Sequence, residues 1–346
     1  MSALVIQTSF LGDMVLTTPL LAHLAGSGPV DVVATKGAAA LLANNPHVRE
    51  VVVYDKRGAD RGVTGFVRLA RRLRAARHQV ALLPQGSVRS AALALAAGSG
   101  RRIGFGSSAG RALYTERVAY RDDLHHASRL LALGVAATGR ESAAEEPRPR
   151  LYPGAAERDA VDVLVGDQIS DPRPLVALAP GSVWATKRWP YYGALAGMLA
   201  ARGVRVAIVG GSEDRPLAAA LVAAAGRDSA VDATGRLSLL ASAELIGRAA
   251  AIVTNDSAPQ HLGSAMGTPT VAVFGPTVPE FGFGPLAPRR AVVGHQGLDC
   301  RPCDRHGPQR CPLGHWRCMK EITPEDVLRA LDGVLARPAT RFAAPS

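Results

Sequence analysis

Thr254-Asn255-Asp256-Ser257-Ala258-Pro259-Gln260-His261-Leu262 stands between two apolar runs, and its reading decides the fold. Upstream, residues 249–253 predict a buried strand. Downstream, 262–266 predict a helix of small residues and 270–275 a second buried strand. Asp256 or Ser257 suits the N-cap, and Pro259 suits the first turn, where its missing N–H costs little. The expected product is a strand, a polar hinge and an exposed helix N-terminus at the carboxyl edge of a sheet. In open α/β folds that is an anion-binding geometry. An ordinary, well-capped crossover carries the same signature, so this segment alone leaves both readings open.

Two other segments repeat the pattern. Leu175-Val176-Ala177-Leu178-Ala179 predicts a strand that runs through a Pro180-Gly181 turn into Ser182, Thr186, Lys187 and Arg188, ahead of a helix near Tyr191. Two cations and two hydroxyls just past a strand suit a phosphate-bearing ligand; a solvated basic loop over a packed Trp is the plainer account. At the N-terminus, Leu4-Val5-Ile6-Gln7 leads through a short loop with Gly12 and Asp13 into an apolar helix. Asp13 there is either a helix cap or a carboxylate presented at a strand end.

At 346 residues, 47% hydrophobic and 20% charged, the chain holds two globular domains with ample core. Aromatic residues reach only 5%, which argues against nucleic-acid modules built on exposed ring stacking. No stretch approaches the roughly 18 apolar residues of a spanning helix. The first apolar run lacks a basic lead-in, so it reads as a core strand and the protein as cytoplasmic. The net charge of +11 is concentrated in the first half, at Arg68, Arg71, Arg72, Arg74 and Arg77 and then Arg89, Arg101, Arg102 and Arg111. Such a field favours nucleic acid, an anionic membrane surface or an acidic substrate; a merely solvated helix is the alternative.

Continuous apolar strands alternating with helices predict two parallel sheets, each covered on both faces. Strands are expected at 3–7, 29–34, 50–54, 79–83 and 102–105, then at 175–179, 204–209, 250–254 and 269–274. Helices are expected at 13–24, 63–76, 88–96, 191–201, 215–225, 238–248 and 324–336. The Arg-, Glu- and Pro-rich interval 139–153 is the linker candidate. Segment 284–318 lacks periodicity and carries all four cysteines, Cys300, Cys303, Cys311 and Cys318, with His306 and His315 among them. A structural zinc, disulfides and free thiols are the three readings of that cluster.

In order and at domain-scale spacing, Leu11-Gly12-Asp13, Thr186-Lys187-Arg188-Trp189-Pro190, Thr254-Asn255-Asp256-Ser257 with His261, and Pro269 with Phe274-Gly275-Pro276-Thr277 resemble the heptosyltransferases of lipopolysaccharide core assembly. The resemblance spans residues 4 to about 336. It implies a GT-B fold of two Rossmann-like, doubly wound parallel-sheet domains facing a central cleft. Residues 1–150 form the acceptor domain and 151–322 the nucleotide-sugar domain, with a C-terminal helix over 323–346 crossing back to the first.

The activity implied is inverting transfer of heptose from ADP-L-glycero-D-manno-heptose to the acidic lipid A inner core, at the inner membrane surface. No nucleic acid and no catalytic metal take part in that scheme; no D-x-D triplet and no nucleotide-binding G-x-G-x-x-G or P-loop pattern is present. Asp13 is the expected general base and Lys187 the cation for the departing diphosphate. Ser182, Thr186, Asp256, Ser257, Ala258, Gln260 and His261 are expected around the donor, with Glu213 on the ribose or else a turn carboxylate. Gly12, Arg68, Arg72 and Arg89 are the expected acceptor contacts. Another sugar donor, a protein acceptor, or a zinc-containing nucleic-acid-binding protein are the competing functions.

Overall fold

Parallel strands need cover on both faces, and the computed structural model supplies it twice. It describes residues 1–56, 58–142, 146–166 and 171–336. The chain divides into Met1–Tyr152 and Pro153–Ser346.

The first unit contains β1 (Ala3–Gln7), α1 (Leu11–Ala25), β2 (Val30–Ala34), α2 (Lys36–Ala40), β3 (Glu50–Val53), α3 (Gly62–Ala75), β4 (Val80–Leu83), α4 (Val88–Ala96), β5 (Arg101–Phe105), β6 (Glu116–Val118) and α5 (His126–Thr138). Its sheet order is β3-β2-β1-β4-β5-β6, parallel throughout, with Val5 registered between Val32 and Leu82. α1 packs against α5, while α3 and α4 pack together through Leu69, Leu73, Ala91 and Leu93 over the sheet residues Ile6, Val33 and Leu83. Gly139 closes α5 in the left-handed region at φ 68°, a conformation a side chain would strain.

The second unit contains α6 (Ala155–Val165), β7 (Leu175–Ala179), α7 (Tyr192–Ala201), β8 (Arg205–Ile208), α8 (Arg215–Ala225), β9 (Ala230–Asp232), α9 (Leu239–Arg248), β10 (Ala251–Asn255), α10 (Ala258–Met266), β11 (Thr270–Phe274), β12 (Arg290–Gly294), α11 (Arg317–Lys320) and α12 (Pro324–Ala336). The sheet order is β12-β11-β10-β7-β8-β9, again all parallel. Counted within its own unit, this is the same doubly wound order as the first. The winding reverses between β1 and β4 and between β7 and β10, and ligands bind at the carboxyl ends of such strand pairs.

Three strands, β6, β9 and β12, fall outside the strands expected from the sequence. Each forms one edge of a sheet, where a strand has a neighbour on one side only and needs no continuous apolar run. The C-terminal helix, expected to return to the first domain, is α12; it buries Val327, Leu328, Leu331 and Val334 in the second unit's core. Residues 337–346 lie outside the described residues.

A buried clasp ties the amino edge of the first sheet. Asp31 of β2 accepts Arg49 Nε at 2.9 Å and Arg49 Nη2 at 2.5 Å, and lies 2.7 Å from His78 Nε2, just ahead of β4. Burial pushes this carboxyl up, but the hydrogen bonds from Arg49 and His78 outweigh it and hold its pKa below the ordinary carboxylate value. A lowered folded pKa means stability that is present above the unfolded value and lost as pH falls through the folded one. Asp31→Asn should therefore cost about 2 kcal/mol near neutrality and make the loss of stability on acidification shallower. Urea titrations at neutral and acidic pH check this; parallel curves for variant and parent would contradict it.

Candidate active site

At the β7/β10 reversal, one buried side chain joins the strand ends. Asn255, the last residue of β10, has no solvent exposure. Its Nδ2 donates to Pro180 O at 2.9 Å and Gly181 O at 3.3 Å, while its Oδ1 accepts from Trp189 N at 3.1 Å and Tyr192 Oη at 3.3 Å. The loop after β7 is thereby tied at both its ends to β10.

Lys187 ends the 3-10 turn Ala185–Lys187 of this loop and is 6% exposed. Its Nζ lies 2.6 Å from Asp256 Oδ2 and 5.2 Å from the Trp184 ring centre. Asp256 also accepts Thr277 Oγ1 at 2.6 Å and Gln260 Nε2 at 2.9 Å. One of the three ammonium donors thus goes to a carboxylate that two further side chains hold in place. Ser257 caps α10 by backbone conformation alone, with no side-chain cap bond, and Pro259 lies in the first turn. Ser257 and Ala258 are half-buried at this helix end. Gln260 is wholly buried and its N–H turns to Ser257 O at 3.2 Å, so that expected donor contact faces inward instead. His261 is buried one position further along.

Ser182 Oγ accepts from Trp184 N at 3.3 Å. Thr186 is buried, and its hydroxyl donates to Pro308 O rather than standing open to a ligand. Glu213 is exposed in a 3-10 turn after β8, whereas its neighbour Asp214 is buried. Burial raises the Asp214 carboxyl's pKa although Gly211 N donates to it at 3.0 Å. A Cβ on Gly181 would come within 2.3 Å of that carboxylate and one on Gly210 within 2.6 Å, so both positions must be bare.

Segment 300–318 is part of this site's wall, a role its composition did not reveal. Gln309 Oε1 accepts from Ala185 N at 3.2 Å, its Nε2 donates to Val183 O at 3.0 Å, and His306 stacks on Trp184 at 5.5 Å. Arg301 donates to the carbonyls of Phe274, Gly275, Thr277 and His295, fastening the segment to the end of β11. The four cysteines are free thiols, and among the described residues no three His, Cys, Asp or Glu side chains are arranged to hold a metal ion.

In the first unit, Asp13 lies in the first turn of α1, past the strand end, where the helix dipole favours a carboxylate. Ser9 Oγ lies 2.6 Å from Asp13 Oδ2 and 2.7 Å from Gln7 Oε1. His126 Nε2 is 3.9 Å from Asp13 Oδ1. Burial pushes the His126 pKa down to about 3, with Arg129 adding to the effect, so this contact is between a carboxylate and a neutral ring. Thr8 Oγ1 donates to Gln85 at 2.7 Å and accepts Lys56 Nζ at 2.7 Å, bridging the β1, β4 and β3 ends.

Gly12 is buried beside Asp13, and Arg89 is exposed in the first turn of α4, at the same edge of the sheet. Arg68 folds back on Ala59 O at 2.8 Å. Arg72 does not join them: α3 runs antiparallel to the strands, and Arg72 pairs at 2.5 Å with Glu50, the first residue of β3, at the opposite edge. Ser9, His126, Asp214, Thr277 and Arg301 are the polar residues that sequence reasoning did not assign. Ser9 and Thr277 each lie just past a strand end; His126 and Arg301 carry no local signal.

A model of glycosyltransferase family 9 (heptosyltransferase) matches residues 66–314. The chain belongs to this family. Lipooligosaccharide heptosyltransferase 2 of Haemophilus influenzae is 29% identical, over 97% of this chain and 100% of its own length. Lipopolysaccharide heptosyltransferase 2 of Escherichia coli is 27% identical over 97% of this chain and 99% of its own. The solved E. coli ADP-heptose lipopolysaccharide heptosyltransferase II matches with a TM-score of 0.77 at 26% identity, covering 97% of this chain and 98% of that one. A family 9 transferase from Veillonella parvula shares the fold, with a TM-score of 0.85 at 22% identity over 96% of this chain and 97% of that one. The expectation of a GT-B glycosyltransferase, with two Rossmann-like sheets, is borne out.

In this family 9 glycosyltransferase, removing Asp256 strands a buried ammonium. Asp256→Ala should cost about 3 kcal/mol of unfolding free energy, and Thr277→Val about 1 kcal/mol. Chemical denaturation measures both, and an Asp256 variant as stable as the parent would show that Lys187 is not held as described.

Proposed function

We propose that this glycosyltransferase moves heptose from ADP-L-glycero-D-manno-heptose to the inner core of lipopolysaccharide, inverting the anomeric carbon. The observation that carries the reading is the buried Lys187 ammonium, fixed by Asp256 beside the α10 N-terminus at the β7/β10 reversal. A cation and helix end fixed at a strand reversal can receive the charge of a departing diphosphate without reorganising. The names of the relatives, heptosyltransferases of lipopolysaccharide and lipooligosaccharide, supply the sugar and the acceptor class.

In the proposed reaction Asp13 takes the proton of the acceptor hydroxyl while its oxygen attacks the anomeric carbon. The bond from that carbon to the diphosphate oxygen breaks, and its electron pair leaves with ADP towards Lys187. Ser257 and Ala258 line the phosphate end, Asp256 orients sugar hydroxyls, and Gly12, Arg68 and Arg89 face the acidic acceptor. The work takes place at the cytoplasmic side of the inner membrane, with peripheral contact to its anionic surface; no helix among the described residues is long and apolar enough to cross a membrane.

We also propose that a structural zinc draws together Cys300, Cys303, Cys311 and Cys318, which the described geometry does not hold as a preformed site. Each of Cys303 and Cys318 feels the charge of the other cysteines, and burial with those neighbours raises Cys318 to about 11. At Cys311 the backbone N–H groups of residues 313–316 outweigh burial and lower its pKa, which readies a thiolate. Metal analysis of the purified chain should find one zinc per molecule; four titratable thiols with no metal would exclude it.

Incubation with ADP-heptose and truncated lipid A cores, read by mass spectrometry, tests the activity; no heptose addition to any core would reject it. Asp13→Asn should slow turnover by about 10²–10⁴-fold at unchanged ADP affinity. Lys187→Ala should weaken ADP binding and slow turnover together, and unchanged affinity would place the diphosphate elsewhere.

A further inference from the structure

At the amino edge of the first sheet, the end of the unit away from Asp13, lies an open cavity of about 690 Å³ that the reaction does not use. The last turns of α3, the start of β4 and the end of α4 enclose it, and Arg71, Arg74, Arg77, His78, Gln79 and Gly98 line it. None of its lining residues is a carboxylate. Arg77 takes the left-handed backbone conformation, φ 52°, just after α3, where glycine is the usual occupant. That turn places a third guanidinium beside those of Arg71 and Arg74.

His78 lines the cavity as a buried ring. Its side chain is 1% exposed, Nε2 is 2.7 Å from Asp31, and Nδ1 is buried with no hydrogen-bond partner. The ring is therefore held from behind by Asp31, and the guanidiniums are the groups that a ligand in the cavity meets. A phosphate matches this guanidinium lining. Along α3, Val63, Val67, Arg71 and Arg74 follow one another at helical spacing, and Val63 is 77% exposed. Leu95 of α4 is exposed near the same cavity. Exposed apolar residues in line with unpaired arginines mark a face suited to a membrane interface.

We propose that this α3–α4 face docks the protein on anionic phospholipid, with a headgroup phosphate seated in the cavity lined by Arg71, Arg74 and Arg77. The proposal rests on the membrane contact in the preceding reading but not on heptosyl transfer. The headgroup cavity lies at one end of the first sheet and the chemistry assigned to Asp13 at the other, with the exposed valines of α3 between them.

Co-sedimentation of the full chain with phosphatidylcholine vesicles, with and without phosphatidylglycerol, tests it. The parent should bind only the phosphatidylglycerol vesicles. The double variant Arg71→Glu/Arg74→Glu should bind them roughly 10²–10³-fold more weakly, and Val63→Ser/Val67→Ser should also weaken binding. All four positions are exposed, so folding is spared. Arg227→Glu/Arg236→Glu, with the same change in net charge on the second unit, should bind as the parent does; an equal loss there would reduce the effect to overall charge and overturn the proposal. Binding of inorganic phosphate by calorimetry, without vesicle binding, would make the cavity a free-anion site and likewise overturn it. Turnover of detergent-dispersed acceptor should be unchanged in the Arg71/Arg74 variant. Vesicle binding without any turnover in the parent would reject the transferase reading and leave the docking face standing.

Discussion

The Asn255 side chain is the constraint on which the second unit's site depends. A buried amide has two donors and two acceptor lone pairs to satisfy, and here all four go to the loop after β7 and to the start of α7. They pin the β7 loop to β10 at both of its ends, and Lys187 between them meets Asp256 at 2.6 Å. The carboxylate at the next position then fixes the ammonium, and Thr277 and Gln260 fix the carboxylate. Order passes outward from one residue, so the charged pair is set before any ligand arrives. Pre-set charge is what electrostatic stabilisation of a leaving group requires.

The interior of the fold was legible because burial on both faces writes itself as unbroken apolar runs. β1, β7 and the helices α4, α8 and α12 fall at the residues expected of them. The edge strands β6, β9 and β12 were not read as strands: Glu116-Arg117-Val118 carries no apolar run, and β12 has only Ala291-Val292-Val293 between Arg290 and Gly294. Lys187 and Asp256 could be singled out by their place after strands; their mutual contact could not, because it joins residues 69 positions apart. Gly181 looked like half of a turn, yet its real constraint is the Asp214 carboxylate pressed against it. Arg72 misled because a row of arginines on a helix says nothing about which end of the sheet each reaches.

The cysteine-bearing segment shows how a site can depend on residues that never touch a ligand. Arg301 spends its hydrogen bonds on the backbone carbonyls of Phe274, Gly275, Thr277 and His295, and burial lowers its pKa. It acts as a fastener between an irregular segment and the end of β11. From that anchorage Pro308 and Gln309 reach the Lys187 turn, and His306 covers Trp184. Whatever orders the four thiols also steadies the wall against which the lysine rests.

Each unit wraps its sheet in a separate set of apolar side chains, Leu4, Ile6 and Leu83 among those of one and Val176, Leu178 and Val253 among those of the other. Loops at the carboxyl edge of either sheet can therefore be rewritten without repacking the partner's interior. Natural divergence has room to alter what one half recognises while inheriting the other intact, and a chimera joined near Tyr152 is the laboratory counterpart of that history.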